Sequence, residues 1–406
     1  MEGVENKRHT HELAHILAQF GEQYNKQYNS CFEQQKAMRA IISCRTSTMG
    51  GHTARCNNCG FEKHAYNSCR NKHCPKCQFI KQEQWVDKLK GRLLPTRHFH
   101  LVFTIPQELN SIFYINQRYC YSKLFSAAWQ AVHKATANPR LLGAQTGAIA
   151  LLHTWTQTLM YHPHIHMIVP AGGLSEDQVE WVSSGYKFFV PIKVIGKIFR
   201  GILCRYIEKG IKDGDIMLPQ DINWNKIKNK LYEKNWIIYA QKPLGGVNSV
   251  LQYLGRYAHR VAISNSRIVE IKEGNVSFRY KDNRNHGVQK IMTIQSVEFI
   301  RRFMQHILPN NFYKIRYYGI LASIHTSSLR EQCLALIGKI TFLSKLEGLS
   351  AMEVYWVITG KNTALCPCCK NGRMEIVHRI PIPDNKKINN NTFFDITLFN
   401  QSAICS

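Results

Sequence analysis

Acidic residues are scarce in this chain. Asp and Glu number 27 in 406 residues against 53 Lys and Arg, and no acidic cluster stands out that could supply the carboxylate triad of a double-strand-cutting nuclease. Long apolar runs are missing too: no stretch of about 18 apolar residues occurs, so no membrane partner is expected. The opening residues, Met1 to Arg8, lack the apolar core of a secretion signal, and no internal repeat is evident. These absences point to a cytoplasmic protein whose thiols stay reduced.

What is present is basic and aromatic. A formal charge of +26 with 18 Tyr, 19 Phe and 7 Trp is the footprint of a protein that grips an anionic polymer, nucleic acid above all. A nucleoid-associated location follows from that reading. At this length two or three domains and one sizeable core are expected.

Fourteen cysteines in a reducing compartment, arranged as CxxC knuckles, point to metal rather than disulfides. Cys56-Asn-Asn-Cys59 and Cys74-Pro-Lys-Cys77 are separated by 14 residues, close to the spacing with which two knuckles close a tetrahedral zinc site. A structural Zn²⁺ on Cys56, Cys59, Cys74 and Cys77 is therefore expected. Cys44, His52, Cys69 and His73 could form a second Cys2His2 set. Cys366-Pro-Cys-Cys369 is half a knuckle that only His378 and Cys405 could complete. Residues 10 to 43 show apolar positions at helical spacing, with Thr10 as an N-cap, and Lys81 to Leu94 form another helix closed by Pro95.

The segment from Arg97 to Pro106 reads as a buried strand with His98 and His100 on one face. Gly147 to Leu159 and His164 to Val169 read as two more strands, joined by a tight turn at Tyr161-His162-Pro163. His164 and His166, two apart on a strand, point the same way. The pair alone proves little, because 18 histidines in 406 residues give about 0.8 chance His-x-His pairs and this chain has four. The hairpin supplies the context: it sets Gln157 opposite the pair, a hard oxygen beside two imidazoles, suited to Mg²⁺ or Mn²⁺. His162 lies about 13 Å along the strand from His166, too far to converge on the same ion.

Beyond Gly245-Gly246 the chain becomes helical and places Tyr253 and Tyr257 at i and i+4, on one face. The same spacing occurs at 24/28 and 313/317, so it is the neighbouring Arg256, His259 and Arg260 that favour a phosphate site. A phenol has a pKa near 10 and attacks a phosphodiester only when a cation polarises the phosphate and stabilises the developing charge.

With these residues assembled, the chain resembles the transposases of rolling-circle insertion sequences, the two-tyrosine HUH group whose prototype is insertion sequence ninety-one. The likeness covers most of the chain. It rests on Cys44-Arg45 to Gly51-His52, Asn67-Ser-Cys-Arg-Asn-Lys-His-Cys-Pro-Lys-Cys77, Phe99-His-Leu-Val-Phe-Thr-Ile-Pro106, His153-Thr-Trp-Thr-Gln157, His162-Pro-His-Ile-His166 with Ala171-Gly-Gly173, and Tyr253-Leu-Gly-Arg-Tyr-Ala-His-Arg-Val-Ala-Ile263. The resemblance implies an α+β fold: N-terminal helices and a zinc ribbon, then a palm-like antiparallel sheet flanked by helices, of ferredoxin or RRM type.

The corresponding division is a helical and zinc-binding domain at 1–94, a nuclease domain at 95–335, and a helical region with a polar tail at 336–406. The resemblance further implies Mg²⁺ or Mn²⁺ on the histidine pair and Tyr253 and Tyr257 as nucleophiles. It implies cleavage of single-stranded DNA at element ends and target through a 5′-phosphotyrosine, with Arg256 and Arg260 contacting phosphate. A relaxase or replication initiator would use the same chemistry, and a zinc-containing DNA-binding regulator would use none of it. The oligomeric state is not legible.

Overall fold

The computed structural model describes residues 10–185, 190–236, 238–244, 250–251, 255, 261–282, 285–325, 328–338 and 344–383. Along the chain run α1 (Leu13–Gln27), α2 (Phe32–Ser43), β1 (Gly51–Cys56), β2 (Glu62–Tyr66), α3 (Gln78–Lys90), β3 (His98–Thr104), α4 (Asn110–Ile115) and α5 (Gln117–Thr136). Then come β4 (Gly147–Trp155), β5 (Tyr161–Pro170), β6 (Gly172–Leu174), β7 (Trp181–Ser183), α6 (Ile192–Lys212), α7 (Trp224–Glu233) and β8 (Ile238–Leu244). The last described elements are β9 (Ile268–Lys272), β10 (Asn275–Asp282), β11 (Val288–Gln295), α8 (Ser296–Met304), β12 (Ile315–Gly319), α9 (Leu329–Ile337), α10 (Ala351–Thr359) and β13 (Met374–Ile380). No helix among the described residues is long and apolar enough to cross a membrane.

Two compact units emerge. One comprises Met1–Gln84, His259–Ile307 and Leu346–Ser406; the other comprises Trp85–Ala258 and Leu308–Lys345.

In the second unit a five-stranded antiparallel sheet runs in the order β12-β4-β5-β3-β8. Alternation along each strand sorts side chains onto two faces. Ala148, Ala150 and Leu152 of β4, Ile165, Met167 and Val169 of β5, and Leu101 and Phe103 of β3 pack with α5 and α6 in the main core. On the other face Ile149, Leu151 and Ile168 join Leu89, Leu93, Val250, Leu251, Ile320 and Leu321. Because both faces are covered, β4 reads as an almost unbroken apolar run rather than an alternating one. The expected sheet flanked by helices is present, and the fold is α+β.

In the first unit α1 begins at Leu13 with Glu12 as N-cap, two residues after Thr10, and the Glu12 amide donates to His15 Nδ1 at 3.3 Å. α1 and α2 bury Leu13, Ile16, Leu17, Met38 and Ile41. They are tied to the 265–304 region by the Leu13 amide to Asn265 Oδ1 (3.1 Å) and Gln34 Nε2 to the Met304 carbonyl (3.0 Å). A β9-β10-β11 meander packs Phe278 edge-on to Phe299 of α8, 5.6 Å between ring centres. A separate three-stranded sheet, β13-β1-β2, joins strands from opposite ends of the sequence.

Candidate active site and metal centres

The hairpin reverses earlier in the sequence than the expected turn at Tyr161-His162-Pro163. β4 ends at Trp155 and β5 starts at Tyr161, so the turn is 156–160 and Tyr161, His162 and Pro163 belong to the strand. Thr156 makes the difference: its amide bonds the Met160 carbonyl at 3.0 Å, its hydroxyl accepts from the Met160 amide at 3.1 Å, and Leu159 takes a left-handed φ of 61°. Gln157 therefore sits half-buried in the turn rather than on β4. The register instead pairs His153 with His164 directly across the strands.

His153, His164 and His166 each bring a ring nitrogen to within 4.8 Å of the others; His153 and His166 are buried and His164 is half-buried. Their ring centres are 4.6 to 5.6 Å apart. His164 Nδ1 donates to the His162 carbonyl at 2.7 Å. Since a carbonyl can only accept, that proton is fixed on Nδ1 and Nε2 keeps its lone pair. Burial pushes the His164 pKa down to about 4, so the ring is neutral and able to ligate near pH 7. His166 Nδ1 lies 3.0 Å from Nε2 of His100 on β3. Three imidazoles on one sheet face, two of them oriented through the second ring nitrogen, suit a divalent cation.

His153 was not singled out as a ligand from the sequence. The signal that would have found it is the hairpin register, which a turn displaced by a few residues conceals. Tyr253, Arg256, Tyr257 and Arg260 lie outside the described residues. Val250 and Leu251, just before Tyr253 in sequence, are buried in the apolar cluster formed by Ile149, Leu151 and Ile168, on the same face of the sheet as His153, His164 and His166.

The cysteines group differently from the single four-cysteine site and the Cys2His2 set anticipated. Cys74 and Cys77 meet Cys44 and Cys69, whereas Cys56 and Cys59 meet Cys366 and Cys369. Strand length is the reason. Cys56 ends β1 and Cys59 lies in the β1–β2 connection, while Cys44 precedes β1 and Cys69 follows β2. The six residues of β1, at about 3.3 Å each, put the two knuckles at opposite ends of the ribbon. His52 on β1 and His73 belong to neither set. The Cys366 half-knuckle is completed by Cys56 and Cys59 rather than by His378, which sits on β13 opposite Thr53; Cys405 lies outside the described residues.

In the first set Cys77 Sγ is 3.3 Å from Cys44 Sγ and 3.6 Å from Cys69 Sγ. These are well beyond a disulfide bond and near the roughly 3.8 Å expected between thiolates 2.3 Å from a tetrahedral zinc. The Cys69 thiol and amide, among the groups bonded to it, hold the Cys44 thiol down to about 7, favouring the ligating thiolate.

Two family models match the chain: one described as "Transposase zinc-binding domain" over residues 16–105, the other as "Putative transposase" over residues 147–328. Among curated proteins the chain is 39% identical over 374 residues to "Putative transposase y4qJ" of Sinorhizobium fredii (strain NBRC 101917 / NGR234), an alignment covering 89% of this chain and 94% of that one. It is 29% identical over 294 residues to "Transposase for insertion sequence element IS801" of Pseudomonas savastanoi pv. phaseolicola, covering 70% of this chain and 69% of the relative. No solved structure matches the chain at a significant level.

Proposed function

Because the chain belongs to the IS91 family of insertion-sequence transposases, whose partner is DNA, we propose that it cuts single-stranded DNA at its element's ends and joins it to target through a 5′-phosphotyrosine. The observation that carries this reading is the convergence of His153, His164 and His166 on one face of the sheet. The helical residues Val250 and Leu251, which lead toward Tyr253, pack in the cluster on that same sheet face.

His164 and His166 would hold the ion, with His153 as the third imidazole and Gln157, from the turn linking the same two strands, as an oxygen donor. A Mg²⁺ or Mn²⁺ ion held there would supply polarisation of the scissile phosphate. The hydroxyl of Tyr253 or Tyr257 loses its proton to water and its oxygen attacks phosphorus. The bond from phosphorus to the 3′ oxygen breaks, that oxygen leaves as a 3′-hydroxyl after taking up a proton, and the 5′-phosphate stays on the tyrosine. The new linkage conserves the energy of the broken one, so attack by another 3′-hydroxyl rejoins the strand without an external energy source. Arg256 and Arg260 neutralise the phosphate. Two tyrosines allow a second cleavage before the first product is released, as rolling-circle transposition needs. Structural zinc on Cys44, Cys69, Cys74 and Cys77 holds the N-terminal ribbon.

The test is incubation of the purified protein with 5′- and 3′-labelled single-stranded oligonucleotides from the element's ends, with Mg²⁺ or Mn²⁺. An SDS-resistant adduct with the fragment carrying the 5′-phosphate is expected, lost in His164→Ala and in the Tyr253→Phe/Tyr257→Phe double variant. Tight binding without an adduct would favour a non-catalytic DNA-binding role. An adduct that survives the double variant would remove these tyrosines as nucleophiles.

A further inference from the structure

The matched zinc-binding domain spans residues 16–105 and contains Cys56 and Cys59, but the sulfurs that complete their set come from Cys366 and Cys369, outside it. Cys56 Sγ is 3.7 Å from Cys369 Sγ, and Cys59 Sγ is 3.7 Å from Cys366 Sγ. Both separations agree with the roughly 3.8 Å that a tetrahedral zinc with 2.3 Å bonds imposes. They are far too long for disulfides.

The two half-sites repeat one backbone design. After each second cysteine the chain turns through a left-handed residue, Gly60 at φ 72° and Lys370 at φ 62°. The amide of that residue bonds the carbonyl of the first cysteine, Gly60 to Cys56 at 3.1 Å and Lys370 to Cys366 at 3.0 Å. A lysine is disfavoured in this region of the backbone, so the turn is held by what surrounds it. Amide groups also point at the sulfurs: Asn58 and Cys59 toward Cys56 Sγ at 3.4 and 3.5 Å, Cys368 toward Cys366 Sγ at 3.4 Å, and Gly372 toward Cys369 Sγ at 3.3 Å. Such donors stabilise thiolates. Gly372 has no room for a side chain, since a Cβ there would overlap Cys56 Sγ and Asn58.

The backbone around the sulfurs is stitched in register. β13 pairs with β1 from Cys56↔Met374 to Gly51↔Ile380. The Asn57 amide bonds the Arg373 carbonyl at 3.1 Å, and the Arg373 amide returns to Asn57 Oδ1 at 2.9 Å.

We propose that Cys56, Cys59, Cys366 and Cys369 bind a second structural zinc, which fastens the C-terminal knuckle and β13 onto the N-terminal ribbon. The ribbon's zinc module is then discontinuous in sequence. Sulfurs from positions 307 and 313 residues apart must meet, so this site closes only once the chain has been made as far as Cys369. Zinc supplies the stabilisation that offsets closing so long a loop.

Zinc content, measured by elemental analysis on reduced full-length protein, tests this without reference to DNA cleavage, so its outcome is separate from that of the proposed transposition chemistry. Two zinc ions per chain are expected, falling to one in Cys366→Ser/Cys369→Ser and in Cys56→Ser/Cys59→Ser. Cys368→Ser, which changes the neighbouring thiol outside the set, should keep two. Should the double variants fail to fold, cadmium-113 NMR of the cadmium-exchanged wild type answers the same question: two resonances in the all-sulfur region are expected. A single zinc, or a single such resonance, would overturn the proposal, as would two zinc ions retained in folded Cys366→Ser/Cys369→Ser.

Discussion

His100 Nε2 lies 3.0 Å from His166 Nδ1, with the two rings stacked at 9° between neighbouring strands. One proton serves both nitrogens. With that proton on His166 Nδ1, donated to His100, Nε2 is the nitrogen of His166 that carries a lone pair able to ligate a cation, the same tautomer that the His162 carbonyl imposes on His164. His100 is thus a positioning residue. Partners of this kind are worth about 10- to 100-fold in metal affinity. His100→Ala should weaken Mn²⁺ binding by that factor in a titration followed by electron paramagnetic resonance. His100→Gln, which keeps an acceptor oxygen, should recover part of the loss. Equal Mn²⁺ affinity in wild type and a folded His100→Ala protein would remove the role.

The identity of the third ligand has its own signature. His153 is drawn into the cluster by the strand register, while Gln157 occupies the turn. Replacing His153 by Ala should therefore reduce Mn²⁺ affinity more than replacing Gln157 by Ala. Three imidazoles also form a site less suited to Mg²⁺, which prefers oxygen ligands, so single-strand cleavage should run faster in Mn²⁺ than in Mg²⁺ at equal concentration. The reverse order in both measurements would return the third position to the glutamine oxygen.

The sheet and its histidine face were legible because they depend on local patterns: buried apolar strands with imidazoles two residues apart. Composition also announced a nucleic-acid partner. What was not legible depends on distant pairing. Spacing between Cys59 and Cys74 suggested one site, yet β1 carries Cys56 to one end of the ribbon and β2 returns the chain to the other. Nothing near Cys366 in sequence reveals that its partner is Cys59, because the pairing of β1 with β13 is set by the folded first unit. Gln157 and His153 exchanged prominence for a smaller reason, the Thr156 hydroxyl that closes the turn and shifts where the strand ends.

The Cys44, Cys69, Cys74 and Cys77 set should govern the integrity of the N-terminal helices. α2 ends at Ser43, next to Cys44, and α3 starts at Gln78, next to Cys77, so these sulfurs fix where two helices leave the ribbon. Structural zinc in small modules contributes on the order of 10 kcal/mol of folding free energy. Cys74→Ser should lose one zinc per chain and open residues 10–94 to limited proteolysis, with fragments read by mass spectrometry. A cleavage pattern identical to wild type after zinc loss would show that the metal does not hold this module.

His98 gives the fold a predictable acid sensitivity. It is fully buried on β3, and burial pushes its pKa down to about 4 from the 6.5 of a free imidazole. A folded-state value below the unfolded one means that the unfolded chain binds the proton more readily. The stability of the neutral buried ring is therefore complete above about pH 6.5 and declines as the pH falls toward 4. Between pH 7.5 and 5 the cost is about 2 kcal/mol. His98→Leu removes the titrating group while keeping an apolar side chain of comparable reach, so its urea midpoint should drop less than that of wild type over this interval. Parallel loss in both proteins would assign the acid sensitivity to other groups, the zinc thiolates first, since protonation releases their metal as well.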